Sequence, residues 1–356
     1  MAAKGGPPAP MKTDHRPEPE RIQALRQWLA AQPAALGLRP ETLSESDTPD
    51  VLRLQRADGG RVLALTEAPA NLAEIATRMA GCGLQLPRLL AVAPDQGFAL
   101  LDEPDLPGYV QALREAGPAE ADALMRDAIA ALLRWPCQGE AAGPLPACDE
   151  AGIRAGLQDF ADWAVAREFG QTWSDTQQGW WAHCCRALVR SALAQPQGPL
   201  HGDYGPQQLR VLAPREAGNP LVLGFQRAQR GPLTEDIAAL LRDAALAWDE
   251  ERELDWAIRY WEQARKLGLL DGHVFDTDFG EFWRALEWSG LQRHLTLIGA
   301  ACRRKHQAGR SDAVEALPRL LAYCIKVSTR YVELAPLTRL LEGLRSDLVQ
   351  TGFNLR

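Results

Sequence analysis

Two neighbouring stretches decide the fold of this chain: PLHGDYGPQQLRVL (199–212) and PLVLGFQRAQRGPLTEDIAALLRD (220–243). The first part predicts a loop that carries His201-x-Asp203, with Gln208 five residues after Asp203 and the short strand LRVL behind it. The second part predicts a strand at VLGF, then a loop and the helix TEDIAALLRD. An acid and an amide thus lie on one loop, and a second strand-to-loop turn follows. These two loops carry the candidate site.

The composition bounds the class of protein. With 356 residues, of which 46% are hydrophobic and 24% charged, the chain is typical of a globular protein long enough for two domains. The formal net charge of −7 argues against general nucleic-acid binding, which needs clustered cations, and no stretch approaches the roughly 20 apolar residues of a membrane span. Only five of the 39 cations are lysines and none lies between positions 13 and 265, so a mechanism that needs a lysine there is excluded.

Seven cysteines are scattered along the chain without a CxxC pair. An odd number of cysteines at irregular spacing favours reduced, buried thiols over a disulfide framework or a zinc site. The cysteine pattern therefore predicts a cytoplasmic protein.

The region 19–105 predicts a small antiparallel sheet with one main helix. VLRLQ (51–55) and RVLALTEA (61–68) flank an ADGG turn, which is a hairpin pattern. NLAEIATRMAGCG (71–83) has helical spacing and ends at glycine, and 88–104 predicts two more strands. This region is expected to form an N-terminal lobe.

The region 106–356 is mostly helical in its spacing, apart from the short strands between 198 and 224. The chain is therefore predicted to be α+β, with a small sheet-containing N-terminal lobe and a larger helical C-terminal lobe. Residues 1–18 are rich in proline and glycine and are expected to be a disordered leader or tag.

The paired loops are typical of phosphotransferases with the protein-kinase-like fold. In these proteins a loop aspartate accepts the proton of the acceptor hydroxyl, and an amide five residues later holds Mg²⁺. An aspartate at the end of the following strand bridges the metal to the nucleotide phosphates. On this pattern Asp203 takes the base position and His201 braces its loop.

Further segments carry a resemblance to a known family. DQGFALLDE (95–103), FQRAQRGPLTEDIAALLRDA (225–244) and GLQRHLTLIGAACRRKHQAGR (290–310) are similar to segments of the aminoglycoside-phosphotransferase superfamily. GLQRHL and GP-x-T-x-D resemble, more narrowly, the bacterial anomeric kinases of N-acetylmuramate and N-acetylglucosamine in cell-wall recycling. The likeness begins at about residue 20 and implies a bilobal protein-kinase-like fold, an amino-sugar substrate, and ATP and Mg²⁺ as cofactors if the protein is active.

The same resemblance implies positions for the nucleotide and the sugar. Residues Ser46, Asp47 and Arg53 correspond to the nucleotide loop, where the family's paired arginines are reduced here to Arg53. Tyr204, beside the base position in the catalytic loop, is a candidate sugar contact. Arg293 and His294, in GLQRHL, are candidate sugar contacts, and His294 is equally interpreted as a packed side chain.

The chain departs from the family pattern at the metal ligands. The pattern His-Arg-Asp-Tyr-x-Pro-x-Asn reads HGDYGPQQ here (201–208), so the metal-binding asparagine is Gln208. The family pattern Asp-Phe-Gln-Asp-Ala is replaced here by GFQRA (224–228). Gly224 therefore stands where the family has its metal-bridging aspartate, and Arg227 stands where it has the second aspartate. Gln208 is one methylene too long for the octahedral geometry that Mg²⁺ demands, and Gly224 offers only its backbone oxygen. The two metal positions are therefore expected to be non-functional. Arg227 could replace part of the cation's charge only if its guanidinium turned toward the phosphates.

The helix after the second loop adds three smaller expectations. Asp236 is expected to hold the loop in place from the start of that helix, and Arg242 and Asp243 are expected to pair with each other. Glu235 and Asp236 together could relocate a metal ion, although their spacing does not require it.

Three functions remain open from the sequence. The first is an ATP-dependent amino-sugar kinase with weak or lost activity. The second is a pseudokinase that binds a sugar or nucleotide and regulates a protein partner. The third is a helical interaction module without a ligand.

Overall fold

The computed structural model describes most of the chain. The described residues are 19–32, 36–45, 50–213, 218–309 and 314–350. They form two compact units, the first from residues up to 70 together with 88–105, and the second from 71–87 together with the rest of the chain from 106. The leader expected at 1–18 lies outside the described residues.

The first unit is a five-stranded antiparallel sheet with one helix. Its elements are α1 (Pro19–Ala30), β1 (Leu38–Glu45), β2 (Val51–Arg56), β3 (Arg61–Leu65), β4 (Leu89–Ala93) and β5 (Phe98–Glu103). The strand order is β1-β2-β3-β5-β4, so the expected hairpins form β2–β3 and β4–β5. Alternate residues of β2, β3 and β5 pack against Leu25 and Leu29 of α1, because successive side chains of a strand face opposite sides of the sheet.

The segment 71–87 belongs to the second unit, whereas the sequence boundary placed it in the first. It contains the expected helix, α2 (Leu72–Gly81). The Asn71 side-chain amide donates to the carbonyl of Pro144 at 2.9 Å, and Gln85 forms a β-bridge with Leu221. These contacts account for its place in the second unit.

The second unit is mostly helical. Its helices are α3 (Tyr109–Glu115), α4 (Pro118–Leu132), α5 (Glu150–Asp159), α6 (Asp175–Leu193), α7 (Thr234–Leu241), α8 (Glu250–Lys266), α9 (Phe279–Ala308), α10 (Leu317–Ser328) and α11 (Ala335–Gln350). A π-helical segment, Phe160–Glu168, continues α5. Two short antiparallel pairs interrupt the helices, and they are β6 (Gln197–Leu200) with β9 (Gln229–Pro232) and β7 (Leu209–Arg210) with β8 (Leu221–Val222).

Helix α9 runs through the core of this unit. Its buried residues Leu291, Leu295, Ile298 and Cys302 are separated by four, three and four positions, which places them on one face of the helix. That face packs against buried residues of α5, α6, α10 and α11. The helix ends at Gly309, whose φ of +68° is a left-handed conformation that glycine adopts without strain.

The two units confirm the predicted α+β class, with a sheet in the first unit and a larger, mostly helical second unit. All seven cysteines are free thiols, and four of them are buried. Across the described ranges, no helix combines the length and the apolar character needed to span a membrane.

Candidate active site

Asp236 holds the loop between β6 and β7 in its shape. The side chain lies in the first turn of α7 and is 1% exposed. Its carboxylate accepts hydrogen bonds from the backbone N–H groups of His201 at 2.6 Å, Gly202 at 3.0 Å and Tyr204 at 3.4 Å. Burial raises the pKa of Asp236, while the bonds from the loop oppose that rise.

The side chains of His201 and Tyr204 also hold the loop in place through hydrogen bonds. His201 Nε2 lies 2.7 Å from the carbonyl oxygen of Leu223, and its Nδ1 accepts from the backbone N–H of Asp203 at 3.3 Å. The Tyr204 hydroxyl donates to the carbonyl of Ala128 at 3.0 Å and is buried, which leaves it no free hydrogen for a substrate. We call His201, Tyr204 and Asp236 the loop scaffold.

The carboxylate of Asp203, at the base position, is bound by three side chains. Arg293 Nη2 of α9 lies 2.5 Å from Oδ1, and Gln208 Nε2 donates to Oδ2 at 3.1 Å. Arg227 Nη1 lies 3.9 Å from Oδ2. Burial opposes the charge of Asp203, but Arg293 and Arg227 outweigh it and lower the pKa of this carboxyl. A carboxylate with a lowered pKa is a weaker proton acceptor than an ordinary aspartate.

Gln208 and Gly224, the two positions expected to correspond to metal ligands, face each other. Gly224 has a φ of +76°, and a Cβ atom at this position would lie 2.9 Å from Gln208 Oε1 and 3.2 Å from His201 Cε1. The Gln208 side chain therefore fills the space where a side chain at position 224 would begin. Its amide nitrogen is already used by Asp203.

These residues do not fit a magnesium ion. Mg²⁺ is bound in proteins by carboxylate and phosphate oxygens in near-octahedral geometry. Position 224 has no side chain, the Asp203 carboxylate is paired with Arg293, and the Gln208 amide offers only its oxygen, because its nitrogen donates to Asp203. Within the described part of the chain, no three side chains of histidine, cysteine, aspartate or glutamate are grouped so that they could hold a metal ion.

The loop that carries Asp203 and the loop after β8 come into close contact at Gly202 and Arg227. Gly202 has a φ of +82°, and a Cβ atom there would lie 2.3 Å from the carbonyl oxygen of Arg227. Only a residue without a side chain fits this approach. The approach brings the turn Phe225–Arg227, and with it the Arg227 guanidinium, next to Asp203. We call Gly202, Gln208, Gly224 and Arg227 the substituted positions.

Of the three expected sugar contacts, Arg293 has the clearest place in the site. Burial lowers the pKa of Arg293, but the carboxylates of Asp203, Asp243 and Glu235 more than offset this, and the net shift is upward. His294, the next residue, has Nε2 2.8 Å from the carbonyl oxygen of Arg242, and burial lowers its pKa to about 3. His294 is therefore a neutral, packed side chain.

Two further carboxyls, Glu235 and Asp243, lie close enough to Arg293 to raise its pKa. Glu235 accepts from Gln229 Nε2 at 3.1 Å, and burial together with the neighbouring Asp236 raises its pKa to about 7. Burial also raises the pKa of Asp243. From the sequence, Glu235 was expected only as part of a relocated metal site, and Asp243 only as the partner of Arg242. For Glu235 the signal in the sequence was its place beside Asp236 in the first turn of an otherwise apolar helix.

The expected pair of Arg242 with Asp243 is wrong. Arg242 lies 3.3 Å from Glu287 and 3.6 Å from Glu253, and its side chain is 1% exposed. Asp243 instead accepts from the backbone N–H of Ala245 at 2.7 Å. Both residues lie beyond the last residue of α7, and the non-helical backbone of Arg242 (φ −121°, ψ 41°) begins the turn that separates their side chains.

In the first unit, Arg53 is the described member of the expected nucleotide set. Its guanidinium donates to both carboxylate oxygens of Glu103, at 2.7 and 2.8 Å. A two-bond pair of this kind fixes the guanidinium plane. Ser46 and Asp47 lie outside the described residues.

Comparison with known proteins gives concordant matches. The profile of a family described as the phosphotransferase enzyme family matches residues 64–283. An N-acetylmuramate/N-acetylglucosamine kinase from Pseudomonas aeruginosa is 36% identical over 311 residues, which is 85% of this chain and 88% of that protein. A protein of the same name from Neisseria meningitidis serogroup B is 34% identical over 316 residues, which is 87% of this chain and 92% of that protein.

A solved structure shows the same fold at low identity. A choline/ethanolamine kinase family protein from Mesorhizobium loti is 12% identical with a TM-score of 0.54, over 92% of this chain and 99% of that chain. The sequence matches and this structural likeness confirm the expected resemblance and the protein-kinase-like fold.

Proposed function

The chain belongs to the phosphotransferase enzyme family, and from that premise we propose that it binds an N-acetylated amino sugar and transfers phosphate to it weakly or not at all. The sugar is inferred from the relatives named N-acetylmuramate/N-acetylglucosamine kinase, which match more than four-fifths of the chain. ATP and Mg²⁺ would be the cofactors of a fully active member. The free cysteines support a cytoplasmic location.

The state of the Asp203 carboxylate carries the proposal. In a working site this group must accept a proton while the neighbouring metal neutralises the phosphates. Here Arg293 and Gln208 bind its two oxygens, and position 224 offers no carboxylate. A thousandfold loss of turnover corresponds to about 4 kcal/mol of transition-state stabilisation, which the loss of a metal-bridging carboxylate readily exceeds.

Ligand binding is the first test. We expect N-acetylmuramate or N-acetylglucosamine to raise the melting temperature, and to do so equally with Mg²⁺ or with EDTA. A ligand at a hundred times its Kd stabilises a protein by about 2.7 kcal/mol, which a thermal-shift assay detects readily. If neither sugar nor ATP with Mg²⁺ changes the melting temperature, the proposal is wrong and the helical interaction module is the remaining function.

Restoring the metal ligands is the second test. The double variant Gln208→Asn with Gly224→Asp should raise phosphorylation of the sugar about a thousandfold, because it returns an amide and a carboxylate to the metal. Gly224→Asp alone should do little, since its Cβ would lie 2.9 Å from Gln208 Oε1. The matched control is Gln208→Asn with Gly224→Ala, which adds the Cβ without the carboxylate. Turnover by the unaltered protein as fast as by the restored variant would contradict the loss of the metal site.

Arg227 favours a second candidate, a slow kinase in which a guanidinium replaces part of the metal charge. The guanidinium lies 3.9 Å from Asp203 and is about one-third exposed. Such an enzyme would retain its activity in EDTA and lose it in Arg227→Ala. Sugar binding without any turnover would instead assign the protein a regulatory or scaffold role with a protein partner.

A further inference from the structure

A second cleft lies in the helical unit, apart from the Asp203 loop. Its volume is about 390 Å³, within the roughly 300–1,000 Å³ typical of small-molecule sites. It lies among the C-terminal half of α6, the turn Val274–Asp276, the first half of α9 and Glu333. None of the loop scaffold or the substituted positions lines it.

Among the described residues, one cation of the cleft, Arg190, has no ion-pair partner. Arg190 lines it from α6, is exposed, and forms no ion pair with any described residue. His183 lines the cleft from the same face of α6, because seven residues are close to two helical turns. Arg284, on the opposite wall, is paired with Glu333 at 3.1 Å and Glu281 at 3.5 Å. Because Arg284 is already paired with two glutamates, Arg190 is the arginine of the cleft that can bind an anion.

The remaining wall is apolar and held in place. Alanines of α6 and α9 line it together with Val274 and Phe275. Gln195, at its base, accepts from the Thr234 hydroxyl at 2.7 Å and donates to the Ser289 hydroxyl at 3.3 Å. A wall fixed by satisfied, buried hydrogen bonds is already ordered before a ligand arrives, which lowers the entropic cost of binding.

We propose that this cleft is a second binding site, for a small monocarboxylate with an apolar body, such as an aryl or medium-chain acid. Arg190 holds the carboxylate, and the apolar part of the wall covers the body. A single negative charge matches Arg190, whereas the second charge of a phosphate monoester would meet Glu281 and Glu333 in the same cleft.

Titration calorimetry of the full chain with 4-phenylbutyrate tests this site, with 4-phenylbutyramide as the neutral probe of the same shape. We expect the acid to bind about tenfold more tightly than the amide, because only the acid forms a charge-assisted hydrogen bond. Arg190→Gln should abolish that preference. The matched control is Arg186→Gln, an exposed arginine one turn earlier on α6 that does not line the cleft and should leave the preference unchanged.

A filling variant tests the location independently of charge. Ser191→Trp, at a half-buried position that lines the cleft, should abolish binding of both probes while the melting temperature stays close to that of the unaltered protein. Equal affinity for acid and amide, a preference that survives Arg190→Gln, or no binding at about 5 mM acid would each overturn the proposal.

Discussion

The loop scaffold and the substituted positions lie only a few residues apart, yet their contacts differ in kind. Asp236 of the scaffold binds three backbone N–H groups of the loop, and His201 binds the backbone on both sides of its ring. At the substituted positions, Gln208 fills the space beside Gly224 and donates to Asp203. The bonds from Asp236 fix the shape of the loop without help from any substituted side chain. The loop can therefore keep its shape whichever side chain stands at position 208 or 224.

The strongest test of this comparison is Asp236→Ala. The variant leaves three buried N–H groups of the loop without an acceptor, and we expect a loss of about 4 kcal/mol in the free energy of unfolding, measured with urea. Asp236→Asn, which keeps one acceptor oxygen, is the matched control and should lose clearly less. A loss below about 1 kcal/mol in the alanine variant would show that the loop does not depend on its scaffold.

A smaller effect is expected from Glu235→Gln, beside Asp236. Burial raises the pKa of Glu235 from 4.5 to about 7. Between these values the folded chain keeps a proton that the unfolded chain has released, so this group costs stability as the pH rises. The variant should therefore gain stability relative to the unaltered protein from pH 5 to 7, by up to about 3 kcal/mol, and the gain should level off above pH 7.

Urea unfolding at pH 5, 6, 7 and 8 measures this difference. Glu120→Gln, at an exposed position in the first turn of α4, is the control and should show no change with pH. If the stability difference for Glu235→Gln is also constant with pH, burial does not raise the pKa of Glu235. The electrostatic difference between the loop scaffold and the substituted positions would then be wrong.

Much of the fold follows from local signals in the sequence. The turn at Asp58-Gly59-Gly60 and the apolar runs beside it predict the β2–β3 hairpin, which the structure pairs from Val51 with Leu65 to Gln55 with Arg61. The edge strand β1 was not predicted, because LRPETLSE has no alternating pattern and contains a proline. Its pairing with β2 also shifts register between Arg39 and Ser44.

The candidate site was predictable in its residues but not in their contacts. The pattern identified Asp203, Gln208 and Gly224, since each stands at a fixed offset in a motif. The Gln208 amide can turn toward Asp203 because Gly224 leaves space beside it. The Arg227 guanidinium comes near Asp203 because the backbone at Gly202 lets the two loops touch. Both are properties of two loops that meet only in the folded chain.

Gly224→Ala tests whether the space beside Gly224 is filled. The left-handed φ alone should cost about 1–2 kcal/mol, and the contact with Gln208 should add to this. Gly272→Ala is the matched control, because Gly272 has a φ of +74° and nothing within 4 Å of a built Cβ. Urea unfolding should therefore show a larger loss at Gly224. Equal losses at the two glycines would mean that Gln208 moves aside freely and leaves the metal position open.

The smallest effect is expected from Gln208→Ala, which removes the amide from the substituted end of the loop. The variant loses the 3.1 Å hydrogen bond to Asp203, but Arg293 still binds the other oxygen of that carboxylate. The loss in the free energy of unfolding should stay below about 1 kcal/mol, and a double-mutant cycle with Asp203→Asn should give a coupling of similar size. A loss above about 2 kcal/mol would place Gln208 with Asp236 among the residues that fold the loop. In that case Gln208 would help to fold the loop, and the distinction between the loop scaffold and the substituted positions would fail.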